Sequence, residues 1–218
     1  MSLLLCGVDE AGRGSVIGPL VIAAYSIHEE MIPKLARLGV ADSKTLTPEQ
    51  RLELQPHITS MAHSVQLEVI SAESVNEMLK RRGRGGINLL EAERIVALIS
   101  KIKPNRVIID SPDRNTTRFA EYVRNRLQND SVEIICMVKA DANNPVVAAA
   151  SIIAKVRRDS EIEKLHTEFG DFGSGYPSDP RTIHFIKEHL RRGSLPNIVR
   201  ADWETVSKAK QFTLEEFD

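Results

Sequence analysis

Gly7-Val8-Asp9-Glu10-Ala11-Gly12-Arg13-Gly14 is the stretch on which the reading of this chain turns. Ahead of it, Ser2-Leu3-Leu4-Leu5-Cys6 is a short apolar run of the kind that forms a buried strand. Two adjacent carboxylates follow, and then a turn of small residues with one arginine. Side chains alternate along a strand, so Asp9 and Glu10 serve one point only if the strand is ending there. Two carboxylates delivered into a glycine turn suit a divalent cation. Taken alone, the octapeptide is equally well a solvated acidic strand end.

Working outward, residues 19–27 are rich in Val, Ile and Ala and read as a second strand, antiparallel to the first. Residues 31–38 read as a short helix and Ala41-Asp42-Ser43-Lys44 as a polar loop. Thr47-Pro48 opens the next helix, and Gln50 completes a capping box. A half-buried strand is expected over 65–70, then a helix capped by Ser71 and running to about Leu79. Lys80-Arg81-Arg82-Gly83-Arg84-Gly85-Gly86 reads as a mobile basic loop. An amphipathic helix over 87–102 leads to a fully buried strand over 106–109 that ends at Asp110. A helix over 116–128 and a strand over 132–138 come next, and Lys139-Ala140-Asp141 forms a turn. Pro145 starts a long helix to about Phe169, followed by a glycine-rich loop around Tyr176 and helices over 182–192 and 201–210.

Three strands almost in a row, then alternating helices and strands, give an α/β fold: a mixed five-stranded sheet with helices on its faces and a C-terminal helical subdomain. The expected division is a core over 1–169, a helical part over 170–210, and a tail over 211–218.

With 42% hydrophobic residues, the chain of 218 residues can bury a sizeable core. The net charge of −1 neither demands nor excludes a nucleic-acid partner. Cys6 and Cys136 both lie in apolar runs and read as reduced core residues. The six histidines show no zinc-ligand spacing. There is no apolar run of spanning length and no basic-then-apolar leader, so a soluble cytoplasmic protein is expected.

Asp9, Glu10, Asp110 and Asp141 all recur at the ends of elements. If strands one and four are parallel neighbours, Asp9 and Asp110 end side by side. Clustered carboxylates raise one another's pKa unless a cation sits among them. Mg²⁺ suits such a site because it binds few carboxylates and completes its shell with water and phosphate oxygens. The dinucleotide, P-loop and Gly-x-Ser-x-Gly signatures are all missing.

Asp9-Glu10-Ala11-Gly12-Arg13-Gly14, Asp42-Ser43-Lys44, Ile109-Asp110-Ser111, Lys139-Ala140-Asp141 and the run from Val146 to Lys155 resemble the type 2 ribonuclease H family. Gly173-Ser174-Gly175-Tyr176-Pro177 resembles its archaeal branch. The matches follow the family's order along nearly the whole chain. The resemblance implies an RNase H-like fold and an endoribonuclease acting on RNA–DNA hybrids. It implies a cut 5′ of a ribonucleotide embedded in duplex DNA, leaving 3′-hydroxyl and 5′-phosphate ends by two-metal in-line attack of water. By matching motif, Asp9, Glu10, Asp110 and Asp141 are the catalytic acids that bind Mg²⁺ or Mn²⁺. Gly12, Arg13 and Gly14 are the turn that senses the 2′-hydroxyl. Tyr176 stacks on the sugar beyond the junction, and Lys44 contacts a phosphate.

The tail Gln211-x-x-Leu214-x-x-Phe217 resembles the short peptide that docks on the replication sliding clamp, with Asp218 where a second aromatic is usual. Three such residues can share one face of a helical turn. The rival readings are a type 3 ribonuclease H, a catalytically silent hybrid-binding protein, and a metal-dependent phosphatase.

Overall fold

The computed structural model describes residues 2–40, 46–127, 129 and 131–215. The chain forms two compact units, each discontinuous in sequence. The first comprises Met1–Ala11, Val21–Glu68 and Asn88–Arg157; the second comprises Gly12–Leu20, Val69–Ile87 and Arg158–Asp218.

The first unit is built on the mixed five-stranded sheet, in the order β3-β2-β1-β4-β5. These strands are β1 (Leu4–Ala11), β2 (Leu20–His28), β3 (Ser64–Ile70), β4 (Arg106–Asp110) and β5 (Glu133–Met137). β1 runs antiparallel to β2, from Leu4 opposite His28 to Ala11 opposite Val21. On its other edge β1 is parallel to β4, and β4 is parallel to β5. The unbroken apolar runs of β1 and β4 have this cause, since a central strand is covered on both faces.

One difference from the sequence reading matters for the site. Asp9 and Glu10 do not end the first strand; β1 continues through both to Ala11. Non-local pairing with β2 holds them extended, which local composition does not report.

Five helices lie wholly or for a large part in this unit: α1 (Ile32–Ala36), α2 (Pro48–Met61), α4 (Gly86–Ile102), α5 (Thr116–Arg124) and α6 (Pro145–Phe169). The capping box of α2 forms as the sequence predicts. α6 is the longest, at 25 residues. Its first half carries Val146, Ala148, Ala149, Ala150, Ile152 and Ile153, all buried against Val21, Ala23, Tyr25 and Ile27 of β2. Small side chains on the helix let it approach the sheet closely. Gly7 of β1 completes that contact, because any Cβ there would collide with the backbone of Val146.

The second unit holds α3 (Ala72–Arg82), the later part of α6, α7 (Pro180–Arg191) and α8 (Glu204–Glu215). Its core gathers Val16, Ile17, Ile162, Phe172, Phe185, Ile186, Val199 and Val206. Asp179 caps α7, and Pro180 occupies the first turn. Lys80, Arg81 and Arg82 are not in a loop, as the sequence reading has them. They form the last turn of α3, which stops at Gly83 with φ +62°. Lysine and arginine are good helix formers, and cations at a helix C-terminus complement its dipole. No helix among the described residues is long and apolar enough to cross a membrane.

Candidate metal centre

Three carboxylates from three elements meet in the first unit. β1 supplies Asp9 and β4 ends on Asp110; their parallel register sets Val8 beside Ile109. Asp141 sits in a single 3-10 turn, Ala140–Ala142, between β5 and α6. One oxygen of each carboxylate lies within 4.8 Å of the other two. Asp9 and Asp141 are buried, at 6% and 3% exposure, and Asp110 is half-buried.

The backbone around Asp110 is arranged to hold it. Lys139 adopts the left-handed conformation, with φ +59°. The N–H groups of Lys139 and Ala140 both turn towards Asp110, the latter at 3.2 Å from its Oδ1. Asp9 is held twice. The Glu10 N–H donates to its Oδ1 at 2.8 Å, and the hydroxyl of Ser151 on α6 hydrogen-bonds the carboxylate. The Lys155 ammonium in turn donates to Ser151 Oγ at 2.8 Å. Ser151 and Lys155 are one helical turn apart, a polar pair interrupting the apolar run that starts at Val146. In the sequence both fall within the run from Val146 to Lys155, and their i, i+4 spacing inside a buried helix face is the signal that marks them.

Burial pushes the Asp9 carboxyl up to about 7. The Ser151 hydroxyl and the Glu10 N–H oppose that rise, while the charges of Asp110 and Asp141 add to it. Asp110 is also raised, first by burial and then by Asp141, with which it shares a hydrogen bond. Asp9 and Asp110, close to each other in a poorly solvated site, resist ionising together. A divalent cation removes that conflict, because hard oxygen donors at this separation are what Mg²⁺ and Mn²⁺ take. The residues present therefore fit the ion.

Glu10 is not one of the three converging acids. It lies within β1 opposite Ile22 and is partly exposed.

The remaining site residues of the sequence reading lie in the second unit or outside the described residues. Gly12 has φ +80°, and a Cβ on it would lie 2.5 Å from the Pro19 carbonyl oxygen. Gly14 is exposed, and a Cβ there would meet nothing within 4 Å. Arg13 between them is half-buried. Arg200, fully buried, donates to the carbonyl oxygens of Gly12 and Arg13, both at 2.8 Å. Sequence reasoning passes over Arg200 because it stands in an irregular stretch with no periodicity.

Tyr176 is half-buried, with the guanidinium carbon of Arg158 4.7 Å from its ring centroid. The preceding carbonyl, that of Gly175, accepts from the N–H groups of Val16 and Ile17 at 2.8 and 3.1 Å. The turn that begins at Gly12 is thus tied by backbone to the loop that carries Tyr176.

Lys44 and Phe217 lie outside the described residues. Gln211 is exposed on α8, and Leu214 is in the last described turn of that helix.

Residues 6–206 match the family model for ribonuclease HII. The ribonuclease HII of Pyrococcus furiosus is 45% identical, with 97% of this chain and 96% of that protein covered. The crystal structure of the ribonuclease H2 from Pyrococcus horikoshii OT3 superposes with a TM-score of 0.87 at 42% identity, covering 98% of this chain and 100% of that one. A structure of the PCNA:RNase HII complex from Archaeoglobus fulgidus matches with a TM-score of 0.84 at 40% identity, covering 93% and 96%.

Proposed function

This chain belongs to the ribonuclease HII family, and from that premise we propose that it hydrolyses the RNA strand of RNA–DNA hybrids and cuts on the 5′ side of single ribonucleotides in duplex DNA. It is a nuclease of the archaeal type 2 group, which sets the type 3 reading aside. The observation that carries the proposal is the meeting of Asp9, Asp110 and Asp141 within 4.8 Å.

In this reading those three acids hold Mg²⁺ or Mn²⁺, with Glu10 as a fourth acid on the same strand. Divalent cations bound there supply Lewis-acid polarisation of the phosphate and neutralise charge developing at the oxygens of an in-line displacement. The chain's own part is to orient. Ser151 and Lys155 fix the Asp9 carboxylate, and the Lys139–Ala140 backbone fixes Asp110. Gly14 leaves room for the substrate backbone to approach the turn, where the 2′-hydroxyl is the group that distinguishes RNA from DNA. The Tyr176 ring packs against the next sugar, where deoxyribose fits and an added hydroxyl is crowded. Lys44 contacts a backbone phosphate. Water attacks in line and leaves a 3′-hydroxyl and a 5′-phosphate.

A second part of the proposal concerns the tail. Its likeness to a clamp-docking peptide, together with the PCNA complex of the Archaeoglobus fulgidus relative, supports docking of Gln211, Leu214 and Phe217 on a sliding clamp. Asp218 in place of a second aromatic weakens that contact.

The test is a substrate panel with Mg²⁺ or Mn²⁺: an RNA–DNA hybrid, a DNA duplex with one ribonucleotide, all-DNA duplex, and single-stranded RNA. Cleavage of the first two, mapped 5′ of the lone ribonucleotide, supports the reading. Binding without cleavage favours a silent hybrid-binding protein.

A further inference from the structure

Arg200 is the largest fully buried side chain among the described residues. Removing a guanidinium from water costs several kcal/mol unless its donors find partners. Its donors converge on one short stretch nearly two hundred residues away in sequence. Nη1 reaches the Arg13 carbonyl at 2.8 Å, and Nη2 reaches the carbonyls of Gly12 at 2.8 Å and Gly18 at 3.1 Å. Nε lies 3.3 Å from the same Gly18 oxygen. The guanidinium carbon stands 5.3 Å from the centre of the Trp203 ring. Its backbone N–H donates to the Val16 carbonyl at 2.8 Å, beside an antiparallel bridge between Ile17 and Val199.

Peptide geometry gives this arrangement a consequence. In a trans peptide the N–H points opposite to the C=O of the same unit, and none of the described peptides is cis. The Gly12 and Arg13 carbonyls both aim at the guanidinium. The N–H groups of Arg13 and Gly14, which complete those two peptides, therefore aim away from it. Successive N–H groups presented in this way form a concavity for a ligand oxygen. The space beside Gly14 is open.

We propose that Arg200 is a positioning residue for sugar discrimination: by holding the Gly12 and Arg13 carbonyls, it sets the direction of the N–H groups with which the turn reads a ribose 2′-hydroxyl. The proposal rests on the reading of Gly12, Arg13 and Gly14 given above. Arginine is required because its planar fork spans several carbonyls at once. A lysine ammonium keeps the charge but is a single point on a flexible stem. With Arg200→Lys, the Arg13 carbonyl loses its guanidinium donor, while the Gly12 oxygen keeps the Ser15 N–H and hydroxyl.

The experiment compares binding of two duplexes, identical except that one carries a single ribonucleotide, in Ca²⁺ so that neither is consumed. Steady-state cleavage in Mg²⁺ is measured in parallel. For Arg200→Lys, affinity for the ribonucleotide duplex falls by about tenfold, the equivalent of one lost buried hydrogen bond. Affinity for all-DNA duplex stays as in wild type, so the ratio collapses, and KM rises more than kcat falls. A role confined to stability lowers the active fraction and leaves the ratio intact; an unchanged ratio overturns the proposal.

Should Arg200→Lys fail to fold, Ser15→Ala tests the same carbonyl, since Ser15 Oγ donates to the Gly12 oxygen at 2.8 Å. A reduced ratio there supports the proposal, and a wild-type ratio contradicts it. If wild type itself shows no preference between the duplexes, the reading of the turn fails first, before any variant is made.

Discussion

Gly7 of β1 and Val146 of α6 are in direct backbone contact: a methyl group on Gly7 would lie 2.4 Å from both the carbonyl carbon and the carbonyl oxygen of Val146. No rotamer change relieves a clash with backbone, so a side chain at Gly7 has to push the helix off the strand. β1 carries Asp9, and α6 carries Ser151 and follows the turn of Asp141. The Gly7 contact therefore sets the spacing of the acids. Gly7→Ala is expected to destabilise the protein by about 1–3 kcal/mol, the usual cost of overpacking, and to lower kcat on a hybrid substrate further than the loss of stability explains. Urea unfolding and steady-state cleavage on the same preparation check this.

Gly12 and Gly14 are predicted to respond oppositely to alanine. At Gly12 the positive φ and the nearby Pro19 oxygen make Gly12→Ala destabilising. At Gly14 a methyl meets only open space, so Gly14→Ala leaves stability unchanged or raises it by up to about 1 kcal/mol through the unfolded state. Its KM for hybrid nonetheless rises by about tenfold, one hydrogen bond's worth of contact. Thermal melts and kinetics on the pair separate a glycine needed by the fold from one needed by a ligand.

The raised carboxyls predict a specific coupling of metal and pH. Without metal, Asp9 holds its proton up to about pH 7, whereas an unfolded aspartate loses it near pH 4. Between those values the native state binds more protons, so this group's contribution to stability falls as pH rises through that window. A divalent cation competes with the same proton. The increase in Tm on adding Mg²⁺ over EDTA should therefore be small at pH 5 and grow towards pH 8. An increment independent of pH would contradict the placement of the ion among these acids.

Lys139 occupies a backbone conformation that costs a non-glycine residue about 1–2 kcal/mol. That conformation is what brings the Lys139 and Ala140 N–H groups to Asp110. Lys139→Gly should keep the fold and the metal response, because glycine accepts the same φ. Lys139→Val should destabilise by more than about 1 kcal/mol and weaken Mn²⁺ binding, read by calorimetry. Equal metal affinity in the two variants would show that the turn does not position Asp110.

Part of this is legible in the sequence alone. Asp110 closes an unbroken Val-Ile-Ile run, so its place at a strand end follows from composition alone. Thr47, Pro48 and Gln50 mark a helix start by local chemistry, and the structure forms that cap. What stayed hidden depends on partners distant in sequence. Asp9 and Glu10 resemble a strand end beside a glycine turn until β2 is laid alongside and keeps the strand going to Ala11. Ser151 and Lys155 look like an ordinary polar stripe until the helix face they share is found packed on β1. Arg200 carries no local pattern, because its acceptors are carbonyls near the other end of the chain. The cations at 80–82 are obscured for a different reason: the glycines after them suggest a loop, while lysine and arginine extend α3 to its last turn.

The three converging aspartates are the centre on which the proposed reaction depends. Their most direct test is to offer Asp110→Asn and wild type a DNA duplex with one ribonucleotide in Mg²⁺, following both cleavage and binding. The variant should bind the duplex with near wild-type affinity, lose cleavage by at least about a thousandfold, as removal of an electrostatic catalytic group does, and show no metal-dependent rise in Tm. Cleavage at a wild-type rate, still mapped 5′ of the ribonucleotide, would show that the reaction does not run through this cluster.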